Sequence, residues 1–284
     1  MALLTVPEIV RLFPVFKGKF GHVLADLMRR HLSIDRLSDL EERNRQFQGA
    51  DFAGACVDDQ QVRVLIGNAD RLRRLPEGAF ITISNHPYGG ADGIMLIDLI
   101  GHLRPDFKVI VNEFLSHVES LRPSLILVNP KLDKDLEITP TNLRGVREIM
   151  QHLHDGSPVG IFPSGAVSDL HLRDGRIYDR EWQPSILKII QKAKVPIVPI
   201  RFFDRNSLYF YLLGLISWKI RTLRLPAETL NKKQSTHRIG IGETISPEAQ
   251  SRYRDLESFG KFLRDSVYGM PLPDLFTPRS EILR

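Results

Sequence analysis

From residue 62 onward the chain alternates short runs of β-forming apolar residues with runs of helical periodicity, and this alternation restricts the fold more than any other feature. Strand-like runs stand at 62–66 (VRVLI), 80–84 (FITIS), 107–111 (FKVIV), 125–128 (LILV), 159–162 (VGIF) and 197–202 (IVPIRF). Helical runs at 92–102, 113–121, 142–154 and 185–194 separate them. Such a rhythm predicts an α/β fold, with a mixed, largely parallel sheet flanked by helices. Residues 1–60 read as a helical N-terminal segment, within which 35–48 (DRLSDLEERNRQFQ) forms a polar amphipathic helix opened by Ser33 or Asp35. The main domain is expected over 61–284.

In a parallel sheet, ligands gather beyond the carboxyl ends of the strands. The stretch Asn85-His86-Pro87-Tyr88-Gly89-Gly90-Ala91-Asp92 falls at such an end, between a strand and a helix. Gly89 and Gly90 let the loop fold back, so that Asp92 in the first helical turn reaches one ring nitrogen of His86 while the other faces a pocket. That is a general base with its own orienting carboxylate. Taken singly, Asp92 also reads as a helix-start residue and His86 as a loop histidine.

Two further turns end strands in the same way. Phe162-Pro163-Ser164-Gly165 leads to Ser168, and its hydroxyls and backbone N–H groups suit an anion or a developing oxyanion; a plain strand-ending turn is the alternative. After the strand at 197–202, Arg205 and Asn206 suit a phosphate or carboxylate, or form a surface turn.

Composition narrows the partners. A net charge of +5 allows nucleic acid, anionic lipid or a phosphorylated substrate. No nucleic-acid signature, P-loop or zinc-ligand spacing occurs, so neither nucleic acid nor a metal is expected. The single cysteine, Cys56, excludes an intramolecular disulfide and fits a reducing compartment. No run reaches the ~18 apolar residues of a spanning helix. Two stretches, 10–30 with Phe13, Phe16 and Phe20, and 207–225, mix large apolar groups with cations. Each reads as an interfacial element or as a core helix with a basic outer face.

In order, these motifs resemble those of the glycerolipid acyltransferase superfamily, in particular its haemolysin-like, lyso-ornithine-lipid O-acyltransferase branch. The pattern Asn-His-Pro-x-Gly-Gly-x-Asp-Gly is matched by Asn85 to Gly93, and Phe-Pro-x-Gly-x-x-Ser by Phe162 to Ser168. Asp179 with Trp182, Arg205-Asn206-Ser207, and Leu225-Pro226 with Glu228 also fit. The resemblance covers about residues 62–246. The chain departs from the wider superfamily in having five residues between His86 and Asp92 and in carrying Ser164 where a glutamate is usual.

The resemblance implies that 61–284 is an acyltransferase domain and that His86 deprotonates an acceptor hydroxyl, which attacks the thioester of acyl-CoA or acyl-carrier protein. Asp92 would hold the imidazole tautomer. Donors near Gly89-Gly90 or Ser164-Gly165 would stabilise the oxyanion. No cofactor is implied beyond the acyl donor as co-substrate. The acceptor is expected to be a lysolipid, a lyso-amino-acid lipid or lysophosphatidate, met at the cytoplasmic face of the inner membrane by a peripheral protein. A hydrolase using the same dyad and a non-catalytic lipid-binding module are the competing readings.

Overall fold

The computed structural model describes residues 33–112, 115, 117–128 and 140–283. The phenylalanines at 13, 16 and 20 lie outside the described residues. Elements are numbered here from the first one described.

Helices α1 (Ile34–Asn44) and α2 (Gly49–Asp59) precede β1 (Arg63–Gly67) and β2 (Ile81–Ser84). Then come α3 (Gly90–Gly101), β3 (Lys108–Asn112), β4 (Leu125–Val128), α4 (Pro140–His154) and β5 (Val159–Ile161). A small hairpin, β6 (Asp169–His171) and β7 (Arg176–Tyr178), leads to α5 (Pro184–Ala193) and β8 (Ile197–Phe202). Three short helices follow, α6 (Leu208–Ile216), α7 (Trp218–Leu223) and α8 (Leu225–Leu230), before β9 (Thr236–Ile241). The chain closes with α9 (Pro247–Gln250), α10 (Leu256–Tyr268), β10 (Phe276–Pro278) and α11 (Arg279–Ile282).

Eight strands form one sheet in the order β10-β1-β9-β8-β2-β5-β3-β4. Pairings are parallel except β1 with β10 and β8 with β9, so the sheet is mixed and largely parallel, as the alternation predicts. Each of the six expected strands is present. Of the helix expected over 113–121, the described residues instead show 3-10 turns, the last spanning Glu119–Ser124. That turn contains Pro123, whose ring clashes with the backbone of a continuing α-helix.

Side chains alternate between two cores because successive strand residues face opposite sides. Ile81, Ile83 and Ile197 join Ile149, Ile190, Phe259 and Leu263 from α4, α5 and α10 on one face. Val198, Ile200 and Phe202 join Phe52, Leu96 and Leu99 from α2 and α3 on the other. Helix α2 is thus part of the packed layer: Phe52, Ala53, Cys56 and Val57 are buried. Burial also drives the Cys56 thiol up to about 12, which leaves it protonated and inert near neutrality. No helix among the described residues is long and apolar enough to cross a membrane.

The topology positions the three motifs. β2 lies between β5 and β8 and is parallel to both, with Ile81 opposite Val159 on one side and Ile197 on the other. All three strands therefore end at one edge, and the loops after them carry His86, Ser164 and Arg205.

Candidate active site

The first loop is built by its own side chains. Asn85 extends the β2–β8 ladder by one step: its Nδ2 donates to the Phe202 carbonyl at 2.9 Å and its Oδ1 accepts the Phe202 N–H at 2.8 Å. Buried and doubly engaged, the Asn85 amide serves the frame. Gly89 then takes φ +83°, ψ −121°, a backbone region essentially closed to other residues, and α3 begins at Gly90. A methyl group at Gly89 would also lie 2.8 Å from the Leu225 side chain.

This return brings Asp92 beneath His86. His86 Nδ1 lies 3.1 Å from Asp92 Oδ2, short of the alignment of a formed hydrogen bond. Asp92 is fully buried, and the same oxygen accepts the Tyr88 N–H at 2.9 Å. The other oxygen has no partner. The His86 side chain keeps 18% of its surface exposed, whereas its Nδ1 is buried. Phe162 lies against the imidazole with ring centroids 4.3 Å apart. Burial, the largest influence, pulls the His86 pKa down, but the charge and closeness of Asp92 and the charge of Asp179 outweigh it, and the net shift is upward.

The second loop holds the histidine backbone. Ser168 N–H donates to the His86 carbonyl at 2.9 Å. The fully buried Asp179 accepts the His86 N–H at 3.1 Å and the Ser168 hydroxyl at 2.6 Å through one oxygen. Its other oxygen accepts Trp182 Nε1 at 3.4 Å. Tyr268 and Arg264 of α10 bind the Asp179 main chain, at 2.8 and 2.6 Å. Asp179 is thus a carboxylate that clamps the His86 backbone to the second motif, and burial raises its own pKa.

The structure puts the two serines of that motif inside. Ser164 is fully buried, with its hydroxyl donated to the Ala166 carbonyl at 2.8 Å, and Ser168 is engaged by Asp179. Pro163 is buried and its carbonyl accepts the Gln183 N–H at 2.9 Å. Gly165 takes φ +62°, and its N–H goes to the Phe162 carbonyl at 3.0 Å. Of these residues, Phe162 touches His86 directly, whereas the turn around it is a support.

The third loop divides. Arg205 is exposed. Asn206 is buried, its amide donating to the Tyr88 carbonyl at 3.3 Å and accepting Lys232 Nζ at 2.7 Å. Tyr88 is held on every side. Its ring lies 4.7 Å from Lys232 Nζ, and its hydroxyl sits 3.0 Å from His237 Nδ1. His237 Nε2 in turn meets Ser235 Oγ at 2.6 Å, and Ser235 donates to the Lys232 carbonyl. One proton order satisfies the chain, Tyr88 to His237 to Ser235, with His237 neutral. Tyr211 donates to the Pro87 carbonyl at 2.8 Å, and the buried Arg221 donates to the Ser168 and Val167 carbonyls at 3.0 and 3.3 Å. Glu228 of α8 accepts the Ser207 N–H and hydroxyl at 3.0 and 2.7 Å, fixing the start of α6. These partners lie 53 to 149 residues from the loops they hold, or cap a neighbouring turn, so spacing alone does not reveal them.

Chemically, the arrangement is an accessible imidazole edge, backed by a buried carboxylate, beside the N-terminus of α3. It can take a proton from a hydroxyl or water and return it to a leaving group.

A family model described as Acyltransferase matches residues 20–270 of this chain. The chain is 27% identical over 249 residues to a lyso-glycine lipid O-acyltransferase of Bacteroides thetaiotaomicron, covering 85% of this chain and 87% of that protein. A lyso-glycine lipid O-acyltransferase of Phocaeicola vulgatus is also 27% identical, over 82% of each. Among solved structures, the 1-acyl-sn-glycerophosphate (LPA) acyltransferase PlsC of Thermotoga maritima shares the fold, with a TM-score of 0.50 at 17% identity and coverage of 94% and 91%.

Proposed function

This chain belongs to the acyltransferase family, and from that premise we propose that it moves a fatty acyl group from a thioester donor to the hydroxyl of a lyso-amino-acid lipid. The observation that carries the reading is the His86–Asp92 pair, its Nε2 edge open at the shared ends of β5, β2 and β8. The lyso-glycine lipid relatives support an amino-acid head group over lysophosphatidate. The donor is acyl-CoA or acyl-carrier protein.

In the proposed reaction, neutral His86 holds its proton on Nδ1, toward Asp92, and removes the acceptor hydroxyl proton with Nε2. The acceptor oxygen attacks the thioester carbonyl carbon, and the resulting oxyanion faces backbone N–H groups at the start of α3. Those groups, near Gly89 and Gly90, suit the role better than Gly165, whose N–H is already bonded. Collapse breaks the C–S bond, and the imidazolium returns its proton to the leaving thiolate. Neither a cofactor nor a covalent enzyme intermediate enters this scheme. Arg205, exposed at the end of β8, is proposed to hold the acceptor carboxylate or phosphate. The protein works as a peripheral enzyme on the cytoplasmic face of the inner membrane.

Product analysis tests the proposal. The purified protein, given acyl-carrier protein or acyl-CoA thioesters, should form diacylated glycine or ornithine lipid only when the lyso-form is present. Free fatty acid released equally with and without the lysolipid would replace transfer by hydrolysis.

A further inference from the structure

Most of the large apolar side chains left exposed among the described residues stand in the single stretch 208–220. Leu208, Leu212, Leu215 and Ile216 follow helical spacing on one side of α6, while Phe210 and Tyr211 on the other side are buried. Trp218 and Ile220 of α7 continue the exposed set. Within the stretch 207–225, the structure therefore removes Phe210, Tyr211 and the buried Arg221 from any outer contact. Leu172, 76% exposed, projects from the β6–β7 turn, and β6 packs beside α6.

Basic residues outnumber acidic ones around this face: Asp174 is exposed on the β6–β7 turn, while Asp169 pairs with Arg221 and Glu228 with Arg224. Residues 205–227 carry Arg205, Lys219 and Arg224, besides the buried Arg221, and no Asp or Glu. The Arg224 guanidinium lies 5.5 Å from the exposed Tyr209 ring, and Arg173 and Arg176 are exposed on the β6–β7 turn. Aromatic groups beside cations on an apolar surface match the water–lipid boundary, where the rings enter the acyl region and the cations meet phosphates.

The inner side of α6 to α8 holds the catalytic loops. Tyr211 binds Pro87, Arg221 binds Ser168 and Val167, and Leu225 closes over Gly89. We propose that the outer face of α6 and α7 is the docking surface of this enzyme for an anionic lipid bilayer. This inference rests on the lysolipid reading of the acceptor. Docked there, the loops lie about one helix diameter, ~10 Å, from the interface, so a lysolipid hydroxyl reaches His86 without leaving its leaflet.

The test uses the full chain and vesicles of phosphatidylethanolamine and phosphatidylglycerol. Trp182 is buried and Trp218 is 41% exposed, so Trp218 reports contact without any substitution. Its emission should shift to the blue on vesicle addition and be quenched by lipids carrying a shallow acyl-chain quencher. The variant Leu212→Asn/Ile216→Asn/Ile220→Asn, altered only at exposed positions, should lose vesicle affinity by at least ~10-fold. It should keep parental turnover of a short-chain acceptor dispersed in detergent.

Unchanged flotation of this variant, or Trp218 emission indifferent to vesicles, overturns the proposal. So does loss of all binding on replacing Phe13, Phe16 and Phe20 by serine while the α6/α7 triple variant binds normally. A parental dimer in lipid-free buffer that the α6/α7 substitutions dissolve would assign the face to a second copy instead. Lipid binding as expected, without transfer to any presented acceptor, would leave the docking surface standing and remove the acceptor assignment.

Discussion

At the scale of single residues, the dyad and its clamp make separable predictions. Removing the base, as in His86→Ala, should lower turnover at least ~10²-fold in a folded protein, the usual contribution of a positioned general base. The base works only when neutral, and its pKa is raised, so kcat/KM should climb with pH through a value above the ordinary 6.5 of histidine. Asp179 contributes both charge and position to that behaviour. Asp179→Asn keeps acceptors for the His86 N–H and the Ser168 hydroxyl but removes the charge, so the acid limb should move to lower pH. Asp179→Ala removes the acceptors as well and should depress kcat further. A pH–rate series on the two variants separates the effects; an acid limb unmoved by Asp179→Asn reduces this residue to a purely structural support.

At the scale of elements, the turn between β2 and α3 is the component that aims the base. Gly89→Ala places a side chain in a glycine-only backbone region and against Leu225, and should lower kcat while destabilising the fold by about 1–3 kcal/mol. Adding Leu225→Ala relieves the contact but not the backbone strain, so the double variant should recover only part of the loss. Full recovery in thermal denaturation and kinetics would show that crowding alone matters at this turn. Much of this element was readable beforehand. The core strands are short apolar runs, and Gly-Gly between strand and helix marks a turn. The β6–β7 hairpin and β10 leave no mark in the sequence because three residues show no period. β9 is masked because Thr236, His237 and Arg238 dilute its apolar alternation. Ser164, Ser168, Asn85 and Asn206 read as pocket-facing polar groups, yet the fold turns their side chains inward. Whether a polar side chain meets substrate or a buried partner depends on what the fold brings to it: Phe202 to Asn85, Asp179 to Ser168 and Lys232 to Asn206.

At the scale of the whole molecule, the buried polar chain behind Tyr88 couples stability to pH. Burial, reinforced by Lys232 and opposed by Asp204, depresses His237 to about 4. An unfolded histidine takes up a proton near 6.5, and the folded one does so only near 4, so folding is penalised as pH falls across that window. The loss reaches up to about 3 kcal/mol, at ~1.4 kcal/mol per unit. His237→Gln, which retains hydrogen-bonding capacity without titrating, should show a correspondingly shallower decline in urea denaturation between pH 7 and pH 4. Equal slopes would exclude His237 as the source. The strand order also bears on synthesis. β2 emerges from the ribosome early, but its neighbours on either side begin at Val159 and Ile197, and the tyrosine after its histidine is gripped by His237. Long-range pairings of this kind form late. A nascent chain is therefore expected to hold its histidine and aspartate unaligned until translation has passed the strand that ends at Ile241.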